Sequence, residues 1–183
     1  MLHLPAPLVL RPMVEADLTA VSAIEHASMP TPTSANVYLY EITQNKLAHY
    51  HVLACPQVIG YAGYWLLGDE AHVSIIAVHP KMRGRGFGEL LYLHMTMQAK
   101  ADGAREMTLE VRRSNTTAQA LYRKYQLAVV GERPGYYKKT GEDALIMTSP
   151  PMDEAYGRFL QTQQEKIMRK LAIEITADFS CIT

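Results

Sequence analysis

Two side chains at a fixed spacing could carry proton-transfer chemistry: Glu110 and, twelve residues later, Tyr122. Glu110 interrupts a strand-favouring run, and the alternation of a strand turns it to the face opposite Leu109 and Val111. A carboxylate that is partly shielded from water there could act as a general base near neutral pH. The alternative is a solvated strand face on which Glu110 lies beside Arg112.

Tyr122 belongs to an apolar stripe with helical spacing that also contains Ala118, Leu121 and Tyr125. A helix that follows a strand packs back over it, so this phenol and the carboxylate of Glu110 could border one cleft. A phenol with the ordinary pKa of about 10 can protonate a departing thiolate whose own pKa is near 8.5. The alternative is a core tyrosine whose hydroxyl is bonded to the backbone.

A glycine-rich stretch, Arg83-Gly84-Arg85-Gly86-Phe87-Gly88, lies between a predicted strand and a predicted helix. Such a turn lets backbone N–H groups approach phosphate oxygens, and the helix N-terminus adds partial positive charge. Residues 81–124 hold nine Lys and Arg against four Asp and Glu, so an anionic ligand is expected nearby. A turn built only for tight packing is the alternative.

The same stretch argues against two common phosphate ligands. It lacks the Gly-Lys-Ser/Thr of a nucleoside triphosphate loop, and Glu89 stands where the dinucleotide fingerprint requires its third glycine. Asn115 is a predicted N-cap that could also contact a ligand. His49 and His51 share one strand face, but no third ligand is near in sequence, so we expect no metal site.

The elements that must position these residues follow from periodicity and turn signals. The pattern predicts the order β-α-α-β-β-β-α-β-α-β-β, an α/β (α+β) domain with a mixed sheet and helices on its faces. The predicted strands are residues 8–11, 50–54, 58–66, 72–78, 107–111, 127–132 and 144–147. The predicted helices start near residues 15, 35, 87 and 116.

A boundary is expected at Pro150-Pro151. It divides the chain into a domain of residues 1–149 and a helical extension of residues 150–183, with Gly157 as the weak point of the extension helix. This helix could fold onto the domain, pair with a second copy or dock a partner. The sequence therefore leaves an oligomer formed through this helix as one of the alternatives.

Composition narrows the class of protein. The 18 Lys and Arg balance the 18 Asp and Glu, which argues against a bulk nucleic-acid binder. The two cysteines, Cys55 and Cys181, are too few for a disulfide framework and suit a reducing compartment. No apolar run approaches the roughly 18 residues of a membrane span, and the start lacks the features of a signal peptide. We therefore expect a cytoplasmic protein that binds neither membrane nor nucleic acid.

Residues 76–88, which end in Arg83-Gly84-Arg85-Gly86-Phe87-Gly88, resemble the acetyl-CoA motif of the GNAT N-acetyltransferases. Three later segments resemble the narrower RimI group, the ribosomal-protein alanine N-acetyltransferases: residues 109–122, the Tyr-Tyr at 136–137 and the Glu-Asp-Ala at 142–144. The resemblance covers about residues 8–148. It implies a GNAT fold with a mostly antiparallel sheet, acetyl-CoA as co-substrate without a metal, and the N-terminus of a ribosomal protein as acceptor.

The resemblance also implies site residues. Glu110 would be the base and Tyr122 the acid of direct acetyl transfer. The cofactor-binding set would comprise Ile76, Ala77, Val78, Arg83, Gly84, Arg85, Gly86, Phe87, Gly88, Glu89 and Asn115. The chain departs from the family at Gln126-Leu127, where members have Gly-Phe, and the loop at residues 29–34 lacks the tryptophan common there. Acetylation of a small amine or a lysine side chain, and a non-catalytic acyl-CoA-binding module, are the alternatives.

Overall fold

The computed structural model of the protein describes the backbone of residues 4–178 and the side chains of residues 4–174. Cys181 and the end of the predicted extension lie outside these residues. The strands are β1 (Val9–Pro12), β2 (Ala48–Cys55), β3 (Gln57–Leu67), β4 (Glu70–Val78), β5 (Glu106–Arg112), β6 (Ala128–Tyr137) and β7 (Glu142–Thr148). The helices are α1 (Leu18–Ser28), α2 (Ala35–Thr43), α3 (Phe87–Ala101), α4 (Thr116–Lys124) and α5 (Glu154–Asp178).

The seven strands form a single sheet in the order β1-β2-β3-β4-β5-β7-β6. Every neighbouring pair is antiparallel except β4 and β5, which are parallel. The predicted order of elements and the mixed, mostly antiparallel sheet are therefore confirmed. Short turns join β2, β3 and β4 into the expected meander, and α3 supplies the long crossover that a parallel pair requires.

Two boundaries differ from the prediction by three residues or more. The first helix opens with a 3-10 turn at Glu15–Asp17, in which Asp17 accepts hydrogen bonds from both guanidinium ends of Arg11. Strand β6 continues to Tyr137 instead of ending near Glu132, because its pairing with β7 resumes after a register shift. Gly135, at φ +57°, lies in this irregular stretch, and its N–H donates to Asp143.

Each face of the sheet buries its own core. The larger core lies under α3, α4 and α5, and its fully buried side chains include Phe87, Leu91, Tyr92 and Tyr125. The smaller core lies under α1 and α2, around Tyr61. Because both faces are covered, the strands in the middle of the sheet are held rigidly, and they can position side chains where they end or separate.

Helix α5 folds onto the domain and runs antiparallel to α3. Tyr156, Leu160, Ile167 and Leu171 on its inner face are buried in the larger core. Gly157 does not break the helix; a methyl group there would lie 2.9 Å from Cε of Lys100. The division of the chain after residue 149 stays a prediction. No helix within residues 4–178 is long and apolar enough to cross a membrane.

Candidate functional site

A cleft opens in the sheet where β4 and β5 separate. The two strands pair only from Glu70 to His72, with His72 opposite Thr108, although β4 continues to Val78 and β5 to Arg112. Beyond that point each strand keeps its ladder with its other neighbour. The edges that face each other enclose a cavity of about 540 Å³. A splayed parallel pair thus leaves room for an extended ligand between two backbones.

Glu110 lines this cavity from β5, and its side chain is only 6% exposed. Its Oε2 lies 2.9 Å from Nε2 of His72 on β4, and its Oε1 lies 3.2 Å from a guanidinium nitrogen of Arg133 on β6. The Arg133 contact lacks hydrogen-bond geometry, so one lone pair of Oε1 stays available. The carboxylate therefore lies between His72 and Arg133, and its Oε1 can still accept a hydrogen bond from a ligand.

Tyr122 lines the same cavity from α4, so the structure brings the two predicted proton-transfer residues to one cleft. Burial raises the pKa of the Tyr122 phenol, and nearby Tyr137 raises it further. The phenol therefore keeps its proton at neutral pH. Among the described residues none hydrogen-bonds its hydroxyl, although Tyr92 packs against the ring at 5.4 Å. A proton donor without a competing partner is available at this wall.

Helix α4 is fixed at both ends near the cavity. Asn115 caps its start, as predicted, with Oδ1 accepting from the Ala118 N–H at 3.1 Å, and Asn115 also lines the cavity. At the other end the N–H of Leu127 donates to the Tyr122 carbonyl and that of Gln126 to the Arg123 carbonyl. These two bonds form a Schellman motif, which satisfies the last carbonyls of the helix.

The strand end expected to hold a ligand is only partly in the cavity. Ile76 lines it, whereas the side chains of Ala77 and Val78 are buried in the cores beneath the two faces of the sheet. Only backbone groups of those two residues are available to a ligand. The carbonyl of Val78 accepts from Nε of Arg83 at 3.1 Å, so the arginine of the glycine-rich turn is anchored on the strand end.

The glycine-rich turn leads directly into the N-terminus of α3. Gly84 has φ +81° and open space at the position of a Cβ, and Gly86 has φ +95° and caps the helix. The first intrahelical bond runs from Leu90 N–H to Gly86 carbonyl, so the N–H groups of Phe87, Gly88 and Glu89 have no partner within the helix. The turn therefore presents a row of donors.

The side chains in this first turn point away from the donor row. Phe87 is buried in the core. The Glu89 carboxylate accepts from Nζ of Lys124 at 2.5 Å and from the Tyr125 hydroxyl at 3.1 Å, which directs its charge toward α4. An anion at the turn thus meets the backbone of these two residues, and the negative charge of Glu89 is neutralised by Lys124. Arg85 is half-buried in the same turn.

The opposite wall of the cavity is built on a buried carboxylate. Glu25 of α1, only 1% exposed, accepts hydrogen bonds from the hydroxyls of Tyr38 and Tyr61 and from the N–H of Thr33 at 2.9 Å. These bonds tie the proline-rich loop at residues 29–34 to the sheet. Met29, Pro30, Thr31 and Thr33 of that loop line the cavity. A second ligand could therefore enter between this loop and β4.

Comparison with known proteins decides what this arrangement is. The sequence profile described as the acetyltransferase (GNAT) family matches residues 19–126, more than half of the chain. The chain belongs to the GNAT acetyltransferase family. It is therefore an acetyl-CoA-dependent N-acetyltransferase, as the resemblance implied.

Within the GNAT family, the chain is similar to several ribosomal-protein alanine N-acetyltransferases. Over 132 residues the chain is 39% identical to a candidate ribosomal protein bS18-alanine N-acetyltransferase of Bacillus subtilis, an alignment that covers 72% of this chain and 87% of the relative. It is 30% identical over 136 residues to the ribosomal protein bS18-alanine N-acetyltransferase of Escherichia coli, covering 73% and 91%. The crystal structure of the Escherichia coli ribosomal-protein-S18-alanine N-acetyltransferase matches with a TM-score of 0.73 and 28% identity, covering 80% and 94%.

The acetyltransferase's own residues fit its co-substrate. A diphosphate needs converging N–H donors and close backbone approach, and the open space at Gly84 and the unpartnered first turn of α3 provide both. A pantetheine arm is an extended chain of amides, and the unpaired edge of β4 matches it. Within the described residues no group of three or more His, Cys, Asp and Glu side chains could hold a metal, and His51 instead contacts His94.

Several residues of the site could not be identified from the sequence. His72 contacts Glu110, but its sequence position showed only the start of a strand; the parallel register of β4 with β5 brings it there. Arg133 of β6 also contacts Glu110 of β5, across the intervening strand β7. The two residues are distant in sequence. Glu25 looked like one polar residue of an amphipathic helix. Its burial with two tyrosines depends on tertiary contacts that periodicity does not reveal.

Proposed function

We propose that the protein transfers the acetyl group of acetyl-CoA to the N-terminal α-amine of a protein, with the N-terminal alanine of a small-subunit ribosomal protein as the acceptor. The observation that carries the chemistry is that Glu110 and Tyr122 line the same cavity where β4 and β5 separate. The acceptor is supported by the names of the relatives. We further propose that the enzyme works in the cytoplasm, where the balanced charge and low cysteine content suit it.

The binding roles follow from the chain's backbone. The N–H groups from Gly84 to Glu89 would hold the diphosphate, with Arg83 and Arg85 adding positive charge. Backbone groups of Ile76, Ala77 and Val78, together with the Asn115 amide, would hold the pantetheine arm. Acetyl-CoA supplies a thioester whose carbonyl carbon is open to attack by an amine. A backbone N–H near Val78 would stabilise the negative charge that develops on the carbonyl oxygen.

Glu110 and Tyr122 would serve the proton transfers that the reaction requires. Glu110, directly or through water, takes one proton from the acceptor ammonium, and the amine nitrogen then forms a bond to the acetyl carbon. The carbon–sulfur bond breaks as the Tyr122 hydroxyl gives its proton to the departing thiolate, and the second proton that the nitrogen loses returns to the Tyr122 phenolate through water. The high pKa of the buried phenol keeps this proton in place until the thiolate forms. No covalent enzyme intermediate is needed, so Cys55 takes no part.

The preference for a chain terminus has a physical basis. An α-ammonium has a pKa of about 8, against about 10.4 for lysine, which makes its deprotonation about 3 kcal/mol easier. A carboxylate base therefore meets a smaller barrier to proton removal at an α-ammonium than at a lysine side chain.

The test is mass spectrometry of a peptide panel after incubation with acetyl-CoA. The panel holds peptides that differ only in the first residue, including alanine, and a matched peptide with a blocked N-terminus and an internal lysine. We expect acetylation of the alanine-leading peptide at its α-amine, and its loss with Glu110→Gln. Preferred acetylation of the lysine or of a small amine would refute the acceptor class. Binding of CoA without turnover on any amine would instead identify a non-catalytic module.

A further inference from the structure

Helix α5 reaches the phosphate-binding turn, although it lies outside the part of the chain that matches the family profile. A methyl group built on Gly86 would lie 3.0 Å from Cδ1 of Ile167 and 3.7 Å from both Cδ and Cε of Lys170. Ile167 is buried, so it fixes the helix against the turn. The stem of Lys170 therefore extends along the glycine that caps α3.

The charge of Lys170 is available at this place. Its side chain is exposed, and among the described residues none forms an ion pair with it. The neighbouring charges on α5 are those of Lys166 and Arg169, which add positive charge, and of Glu165 and Glu174, which oppose it. The ammonium group is one bond beyond Cε, so in this conformer it lies close to the turn.

We propose that Lys170 is a further acetyl-CoA-binding residue, which places its ammonium group on a phosphate of the CoA moiety beside the glycine-rich turn. A lysine ammonium is a compact charge with three donors, which suits phosphate oxygens. The backbone N–H groups of the turn supply direction, and Lys170 supplies a full positive charge. The helical extension thereby completes the cofactor site. This inference rests on the family's use of acetyl-CoA and not on the proposed acceptor.

The test measures binding of CoA itself by titration calorimetry on the full chain, with no acceptor present. Lys170→Gln should raise the Kd for CoA about three- to tenfold at low ionic strength, because an exposed charge pair is moderate in strength. The difference should shrink in high salt, where exposed charges are screened. Lys170→Arg should keep most of the affinity, and Arg169→Gln, the exposed neighbour on α5, serves as the matched control.

Two probes identify which phosphate is bound. If Lys170 contacts the diphosphate, Lys170→Gln weakens binding of CoA and of 3′-dephospho-CoA by the same factor. If it contacts the ribose 3′-phosphate, the loss disappears with 3′-dephospho-CoA. An unchanged Kd for both probes in a variant with an unchanged Tm would overturn the inference, as would an equal loss in Lys170→Arg. Because no acceptor is used, failure of the peptide assay would leave this result unaffected.

Discussion

The hydroxyl of Tyr122 is separable from the role of its ring. The ring packs in the core against Tyr92, whereas among the described residues none hydrogen-bonds the hydroxyl. Tyr122→Phe should therefore leave Tm unchanged and lower kcat about 100-fold, the scale of general acid catalysis. KM for acetyl-CoA should not change. Steady-state kinetics with the alanine-leading acceptor peptide and thermal unfolding check this, and wild-type turnover would remove Tyr122 from the mechanism.

The contact between His72 and Glu110 makes His72 a positioning residue. Leaving a buried carboxylate without this polar partner at 2.9 Å costs about 1–3 kcal/mol, and each 1.4 kcal/mol is a factor of ten in rate. We expect His72→Leu to lower kcat about tenfold or more at unchanged KM for acetyl-CoA. His72→Gln, whose amide can still donate to Glu110, should recover part of the loss. If the His72→Leu and His72→Gln variants have the same kcat, the contact with Glu110 does not contribute to catalysis.

How much of the site could be predicted depends on how far along the chain its contacts reach. Glu110, Tyr122 and Asn115 lie within one strand–helix unit, so alternation and helical spacing predicted one cleft for Glu110 and Tyr122 and an N-cap at Asn115. Glu25 lines the cavity and Arg133 contacts Glu110 through residues that are far apart in the sequence. Their partners are set by sheet register and by the packing of α1, which no local pattern in one sequence encodes.

At the scale of elements, the end of α4 shows how a departure from the family is accommodated. Gln126 occupies the glycine position of the Schellman motif with φ +67°, a left-handed conformation that costs a non-glycine residue about 1 kcal/mol. Gln126→Gly should therefore raise the free energy of unfolding by about 1 kcal/mol, measured by urea denaturation. Gln126→Ala keeps the Cβ and should give no gain. A loss of stability in the glycine variant would contradict this account.

The turn before α3 combines backbone strain with a tertiary contact. A side chain at Gly86 must adopt φ +95° and also meets Ile167 of α5 at 3.0 Å. Gly86→Ala should lower the free energy of unfolding by about 1–2 kcal/mol and raise the Kd for CoA severalfold. The control is Gly135→Ala, at φ +57° in open space, which should show only the cost of strain. If Gly86→Ala and Gly135→Ala bind CoA with equal affinity, the turn before α3 does not contribute to the cofactor site.

The extension at residues 150–178 supports a site that other elements form. Helix α5 begins where Lys100 donates to the Met152 carbonyl at 2.6 Å, at the end of α3, and passes the start of α3 at Gly86. It therefore runs along the whole of α3 and holds the helix whose N-terminus is proposed to bind the phosphates of acetyl-CoA. Fold and order of elements were predictable from periodicity. Packing of α5 onto its own domain was the default expectation, but its position along α3 was not predictable, because an apolar face alone does not reveal which element it covers.

The stability of the whole molecule should depend on pH through a histidine pair on the sheet. His94 of α3 and His51 of β2 contact each other at 4.6 Å between ring centres. Burial, with a smaller contribution from His51, lowers the pKa of His94 to about 4, and burial also lowers that of His51. Nδ1 of His49 lies 3.5 Å from Oδ2 of Asp102 beside this pair. Both half-buried imidazoles, His51 and His94, are therefore neutral in the folded protein at pH 7.

An unfolded histidine binds its proton near pH 6.5, whereas folded His94 binds it only near pH 4. Between these values the unfolded state holds more protons, so stability is complete above pH 6.5 and declines as pH falls toward 4. Between pH 7 and pH 5 His94 should cost the wild type about 2 kcal/mol. Urea denaturation at pH 7 and pH 5 measures this difference in the free energy of unfolding. The difference should be smaller in His94→Phe, which keeps the aromatic contact, and unchanged in His26→Gln, an exposed control. An equal decline in all three proteins would mean that other groups set the acid sensitivity.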